Sequence, residues 1–351
     1  MSSEQKKSLT LSLGLVSPKK TLEISSCLLP WEVEGYAEDF SNAKTQGGIF
    51  DLTDHVILQI QGKDAQDYLQ RMTTVQFKTL DESRVVHGAF LTGRGGVVVL
   101  GVFRKVGPET FHFIVSQDKK EKALEHIEQF HFAEQFSVRD LSKELSILGL
   151  WSEDGALARR FKLEPHLDNL KIQKGNQDGS EFEAWKDVRR NELFWMVFQS
   201  EQALEFLKKW PTIKHIMLGR RLFEFFRLKA GIPWAGNELS EKDIVLEGNF
   251  DEAVARNKGC YPGQEVVERI FTYGQVNRKL QRVTLWGEIP NLSRTHIPFF
   301  VNGKEAGELV SFEQSPVNDN ETIGLMFVKK EYWGTLEELV SPGGWRAKLF
   351  I

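Results

Sequence analysis

Lys258-Gly259-Cys260-Tyr261-Pro262-Gly263-Gln264-Glu265-Val266-Val267-Glu268-Arg269 is the most unusual stretch of this 351-residue chain. Gly259 and the Pro262-Gly263 pair predict a tight turn, because glycine accepts positive φ and proline presets a turn corner. Residues 264–271 then read as a short helix, with Glu265 and Arg269 spaced i,i+4 for an ion pair. Cys260 falls just ahead of that helix N-terminus and beside Lys258, and both the helix dipole and the cation favour a thiolate. The same cysteine also fits a plainer role, a small apolar residue filling a turn.

Working outward, the segment 216–229 is patterned as a long helix that Gly231 and Pro233 terminate. Beyond residue 280 the chain changes character. Short β-rich runs at 282–286, 304–311, 322–328 and 346–351 lie between turns, as in a small barrel or sandwich. Upstream, Val56, Leu58 and Ile60 alternate as in a half-buried strand, and Asp64 can cap a helix to about Met72. Runs 85–91 and 97–103 flank Thr92-Gly93-Arg94-Gly95-Gly96, a glycine-rich hairpin turn. A strand at 111–115 and a helix at 119–130 follow. The order then repeats in outline: a strand at 145–151, a helix from Asp154 to about 161, a polar loop at 174–180, strands at 182–188 and 193–198, and a helix that Ser200 caps, reaching Trp210. The first 45 residues, weakly periodic, read as a tail that wraps over the surface.

Composition narrows the function classes. Lysine plus arginine total 45 against 49 acids, a formal net charge of −4, with 41% hydrophobic and 27% charged residues. Those figures describe a globular chain and argue against a general polyanion binder, so no direct nucleic-acid partner is expected. No apolar run approaches membrane-spanning length, so no membrane partner is expected either. Cys27 and Cys260 are the only cysteines, and their spacing fits no metal motif; a disulfide between them is arithmetically possible, but a cytoplasmic setting is the expectation. The scattered histidines suggest no metal site. Arg220, Arg221, Arg227 and Lys229 give the central helix a basic side, whereas Phe223, Phe225 and Phe226 read as core.

The Lys-Gly-Cys-Tyr-x-Gly-Gln-Glu run at Lys258, Gly259, Cys260, Tyr261, Gly263, Gln264 and Glu265 resembles the signature of the YgfZ-type folate-binding proteins. These are relatives of the glycine cleavage system T-protein, an aminomethyltransferase. Gly48-Ile49-Phe50-Asp51-Leu52, Ile60-Gln61-Gly62-Lys63-Asp64-Ala65 and Phe226-Arg227-Leu228-Lys229-Ala230-Gly231-Ile232-Pro233 are similar to further family segments, as are residues 303–311 and 323–326. The likeness covers about residues 45 to 335.

The resemblance implies an α+β protein of three domains around a central cavity. These are a tail at 1–45, α+β domains at 46–143 and 144–280 that can interleave, and a C-terminal β-barrel at 281–351. It also implies a role as a folate-binding accessory protein in iron–sulfur enzyme maturation or repair and in tRNA modification, with iron–sulfur enzymes as partners. Tetrahydrofolate or a derivative is the implied cofactor, with Arg227, Lys229 and Trp234 in its cavity and Cys260 as the reactive thiol. Two alternatives stand beside it: a folate-dependent aminomethyltransferase, and a scaffold that has lost folate.

Departures from the T-protein separate these readings. Gly95-Gly96 leads into Val97, Val98, Val99 and Leu100, where the T-protein has a carboxylate near the reacting folate nitrogen. Without it, aminomethyl transfer lacks its acid/base group. Gln76 stands where the T-protein has another acid. Lys229 replaces a glutamate that accepts pterin N–H donors, and a charged lysine only donates. Pro262 is unusual within the cysteine motif.

Overall fold

The structure is a computed structural model that describes residues 6–24, 27–187, 189–190, 192–209, 216–234, 237–287, 296–318 and 321–350. Val188, Trp210 and Gly236, which fall at the edges of expected elements, lie outside the described residues, as do Ser25 and Ser26. The chain divides into two compact units. One comprises Met1–Tyr68, Phe77–Val86 and Gly101–Phe223; the other comprises Leu69–Gln76, His87–Leu100 and Glu224–Ile351.

In the first unit a six-stranded sheet has the order Gln173–Gln177, Ser180–Lys186, Leu193–Gln199, Leu145–Trp151, Gly48–Asp51, Met217–Leu218. Its pairings are antiparallel except the last, where Met217 and Leu218 run parallel to Ile49 and Phe50. Phe182, Phe198, Met196, Leu148 and Leu150 form its buried face, covered by Phe206 and Leu207 of the Ser200–Lys209 helix. Such buried apolar area, at about 25 cal/mol per Å², is what orders these layers. His55–Gln61, Thr110–Ser116 and Ser137–Asp140 pair antiparallel in a second sheet. Ile57 is buried along with Val56, Leu58 and Ile60, so this strand is covered on both faces rather than one.

Three expectations need correcting in this unit. The described part of the first 45 residues is not a loose wrap: Lys20–Ile24 and Cys27–Glu32 pair antiparallel, Lys6–Lys7 adds in parallel, and Tyr36–Thr45 is a helix. Buried Asp39 ties this segment down by accepting from the backbone N–H groups of Val33, Glu34 and Gly219. The polar loop expected at 174–180 is a hairpin. Gln173–Gln177 is an edge strand, and its turn residues Asp178 and Gly179 both have positive φ, the geometry that hairpin turns favour. The long helix expected over 216–229 is split. Met217–Leu218 joins the sheet edge, and Gly219 lets the chain pass so close to Trp31 that an added Cβ would lie 2.3 Å from its carbonyl oxygen. The helix proper is Arg220–Lys229.

The second unit carries a closed six-stranded barrel: Arg278–Trp286, Thr322–Lys329, Lys304–Gln314, Ile297–Val301, Leu339–Val340 and Arg346–Leu349. Closure leaves no unpaired sheet edge. Val283, Leu285, Phe299, Leu309, Met326, Val328 and Trp345 fill its interior. Among the described residues, no helix is long and apolar enough to cross a membrane.

Candidate functional site

Every residue singled out for the site lies in the second unit. The cysteine motif forms a turn leading into the helix Gln264–Tyr273, two residues longer than expected. Gly259 and Gly263 adopt φ of +93° and +79°, but for different reasons. A Cβ on Gly259 would meet nothing within 4 Å, so only the backbone conformation asks for glycine there. A Cβ on Gly263 would come within 2.6 Å of the Thr92 carbonyl oxygen and 2.8 Å of Gly95, so the helix start is packed directly onto the Thr92–Gly95 turn. The chain is held equally firmly on the other side. Lys258 donates from Nζ to the Thr73 carbonyl at 2.8 Å and to the Gln70 carbonyl, while Gln70 Nε2 donates back to the Lys258 carbonyl at 2.6 Å.

Cys260 sits between these two anchors as an exposed, free thiol, not a buried filler. The lysine expected to favour its thiolate is turned to the carbonyls of Gln70 and Thr73 and lies over the Tyr261 ring at 4.8 Å. Burial pushes Lys258 down to about 8. Cys27, expected in an irregular stretch, opens a strand and is fully buried; both cysteines are reduced, with no disulfide between them. Glu265 is exposed and forms no ion pair with Arg269 among the described residues.

The basic side expected on the central helix is also absent, because its arginines are paired with acids. Arg220 donates from Nε and Nη2 to Asp54 at 3.0 and 2.9 Å. Burial works against the Asp54 charge, yet Arg220 and His55 hold its carboxyl well below the usual range. Arg221 pairs with Glu32 at 2.9 Å. In the second unit Arg227 is the centre of a saturated knot: Nε donates to Glu224 at 2.9 Å, Nη1 to the Ile232 carbonyl at 2.6 Å and Nη2 to Glu238 at 2.9 Å. Glu238 accepts in addition from the Trp234 backbone N–H at 2.7 Å and from Ser311 Oγ. Burial disfavours the guanidinium charge, but Glu224 and Glu238 hold its pKa above the ordinary value. Lys229 is exposed at the helix end, where its carbonyl accepts from Arg282.

Three polar atoms here are buried without a partner: Gln76 Oε1, Tyr261 Oη and Glu268 Oε1. Burial, with a smaller contribution from the Glu268 charge, pushes the Tyr261 hydroxyl up to about 12. Glu268 Oε2 stands 3.8 Å from Arg256, whose guanidinium lies over Phe271. Orphaned buried acceptors of this kind are uncommon and mark places where a water or ligand completes the structure. Tyr261 was named from the motif and Gln76 only as a departure; nothing in the sequence pattern singled out Glu268. After the glycine pair, Val97, Val98 and Val99 are buried, and the Val97 N–H goes to the carbonyls of Ser240 and Asp243.

These positions bear on whether a reduced pterin fits. Such a ring presents N–H donors and needs acceptors. The Arg227 guanidinium and the Trp234 backbone N–H are committed to the knot, and Lys229 offers a donor at the surface, so these groups supply no acceptor for such a ring. Gln76 Oε1 and Glu268 Oε1 are acceptors still without a donor.

Comparison with known proteins agrees with this architecture. Residues 28–160 match the GCVT N-terminal domain. The chain is 25% identical over 325 residues to an aminomethyltransferase of Bacillus cytotoxicus, covering 89% of this chain and 87% of that one. It is 25% identical over 326 residues to an aminomethyltransferase of Rubrobacter xylanophilus, covering 89% and 84%. Among solved structures, the glycine cleavage system aminomethyltransferase T from Bartonella henselae matches with a TM-score of 0.81 at 16% identity, over 98% of this chain and 96% of that one. The fold is therefore T-protein-like, mixed α/β elements with a closed C-terminal barrel.

Proposed function

We propose that this protein is a YgfZ-like, folate-binding accessory protein that serves iron–sulfur enzyme maturation or repair and tRNA modification in the cytoplasm. The observation that carries the reading is Cys260, an exposed thiol on a turn fixed at both ends by Lys258 and Gly263. A thiol kept at the surface by a rigid turn is accessible to a partner, whereas a filler would be buried. The buried valines after Gly95-Gly96 support the same conclusion, since they leave no carboxylate to move a proton in aminomethyl transfer. Tetrahydrofolate, when bound, would supply a one-carbon carrier. Gln76 and Glu268 carry the acceptors of this unit that would be free to take its ring N–H groups.

The aminomethyltransferase relatives, similar along 89% of the chain, favour a second reading, a folate-dependent aminomethyltransferase. Two measurements on the purified protein separate the readings: calorimetric titration with tetrahydrofolate, and a coupled assay with aminomethylated carrier protein. The proposal expects saturable binding with no turnover. Turnover near that of a true T-protein overturns it in favour of the second reading. Absence of a binding heat leaves a scaffold without folate and overturns the folate part.

A further inference from the structure

The helix that follows the cysteine turn has another face, and a cavity of about 400 Å³ opens against it. Val266, Arg269, Ile270 and Tyr273, spaced i, i+3, i+4 and i+7, form one wall, and Ile244, Glu247 and Val276 belong to the rest of the lining. This volume falls in the range of small-molecule pockets. Its polar groups are unequal. Glu247 is already engaged: its carboxylate meets Arg278 at 3.4 Å and accepts from the Ile244 N–H at 3.2 Å. Arg269 has no hydrogen-bond or ion-pair partner among the described residues, so its donors face solvent at the cavity. One turn further on, Tyr273 is 87% exposed, an aromatic ring with one face available.

We infer that this cavity binds a small arylcarboxylate, its ring among Val266, Ile270 and Tyr273 and its carboxylate on Arg269. The chemistry fixes the orientation. Glu247 repels an anion from its side of the cavity, while the planar guanidinium offers the paired N–H donors that a carboxylate takes in bidentate fashion. Arg269 and Tyr273 are i,i+4 neighbours on one helix face, so one small ligand can meet both side chains. The apolar residues Ile244, Val266, Ile270 and Val276 give the ring a surface that excludes water.

The test uses the intact protein with labelled isoleucine and valine methyl groups, titrated with benzoate. Saturable shifts at Ile244, Val266, Ile270 and Val276 are expected. Arg269→Gln should weaken binding at least about tenfold, the scale of a charge-assisted hydrogen bond, and Tyr273→Ala about threefold. Both side chains are exposed, so the variants should keep the wild-type unfolding midpoint and the methyl shifts of residues remote from the cavity. Aniline, lacking the carboxylate, and inorganic phosphate, lacking the ring, should each bind at least about tenfold more weakly. No saturable shift, equal benzoate affinity in Arg269→Gln, or aniline or phosphate binding as well as benzoate overturns the inference.

Discussion

Two regions of the second unit use similar residues to opposite ends. Around Arg227 each guanidinium nitrogen has an acceptor, and Glu238 is engaged by three donors. Around the cysteine turn, the Tyr261 hydroxyl and Glu268 Oε1 are buried without partners and Cys260 points its thiol to solvent. A saturated network has no capacity left for a ligand and serves as a clamp. An unsaturated one carries a desolvation cost that only a further group can relieve. Arg227 and Trp234, expected in the folate cavity, fall in the clamp, while the motif residue Tyr261 and the expected reactive thiol of Cys260 fall where polar groups remain without partners.

That contrast can be broken at graded cost. Arg227→Leu should be the most damaging change, about 3–5 kcal/mol in chemical denaturation, because it leaves Glu238 buried without its cation. A cost below about 1 kcal/mol would mean the knot is not a clamp. Gly263→Ala comes next, at least about 2–3 kcal/mol, because backbone strain adds to a clash with the Thr92 carbonyl. Gly259→Ala should cost only about 1–2 kcal/mol, since it has positive φ but open space around it. Equal losses at the two glycines would contradict the packing of the turn on Thr92–Gly95.

Tyr261→Phe should leave stability unchanged or raise it by up to about 1 kcal/mol, as it removes an unpartnered buried hydroxyl, while weakening any ligand that satisfies it. A loss above about 1 kcal/mol would show that the hydroxyl already has a partner in the free protein. A pH dependence tests the other anchor of the turn. Burial lowers Lys258 to about 8 in the folded protein, against 10.5 for the free side chain. Between those values the unfolded chain binds more protons, so this lysine makes stability rise with pH. Comparing unfolding of the wild type and Lys258→Met at pH 8 and pH 10 should therefore show the difference moving in favour of the wild type. A move the other way would mean that the ammonium's hydrogen bonds outweigh its burial.

Much of this was legible in the sequence. The glycines of the cysteine turn, the helix after it, the Thr92–Gly96 hairpin and the C-terminal strands follow from local turn chemistry and alternation. The hairpin at Asp178-Gly179 also carried its signal, hidden by an edge strand polar on both faces. Strand Lys20–Ile24 is almost wholly exposed, so it offers no apolar alternation to read. The arginine partners were out of reach for a different reason. Arg220 finds Asp54 across 166 positions, a pairing that tertiary folding creates and local pattern does not encode. Glu268 was missed because its exceptional feature is a missing hydrogen bond, which only packing reveals.

The central claim is that Cys260 is presented for chemistry and not for packing. It is tested most directly by restoring growth to a strain that lacks its own YgfZ-type protein. Expressed at equal levels, the wild type should restore growth. Cys260→Ser should fail, although its unfolding midpoint matches the wild type to within about 0.5 kcal/mol, as expected for an exposed substitution. Growth restored equally by Cys260→Ser would contradict the account and leave the thiol without a role.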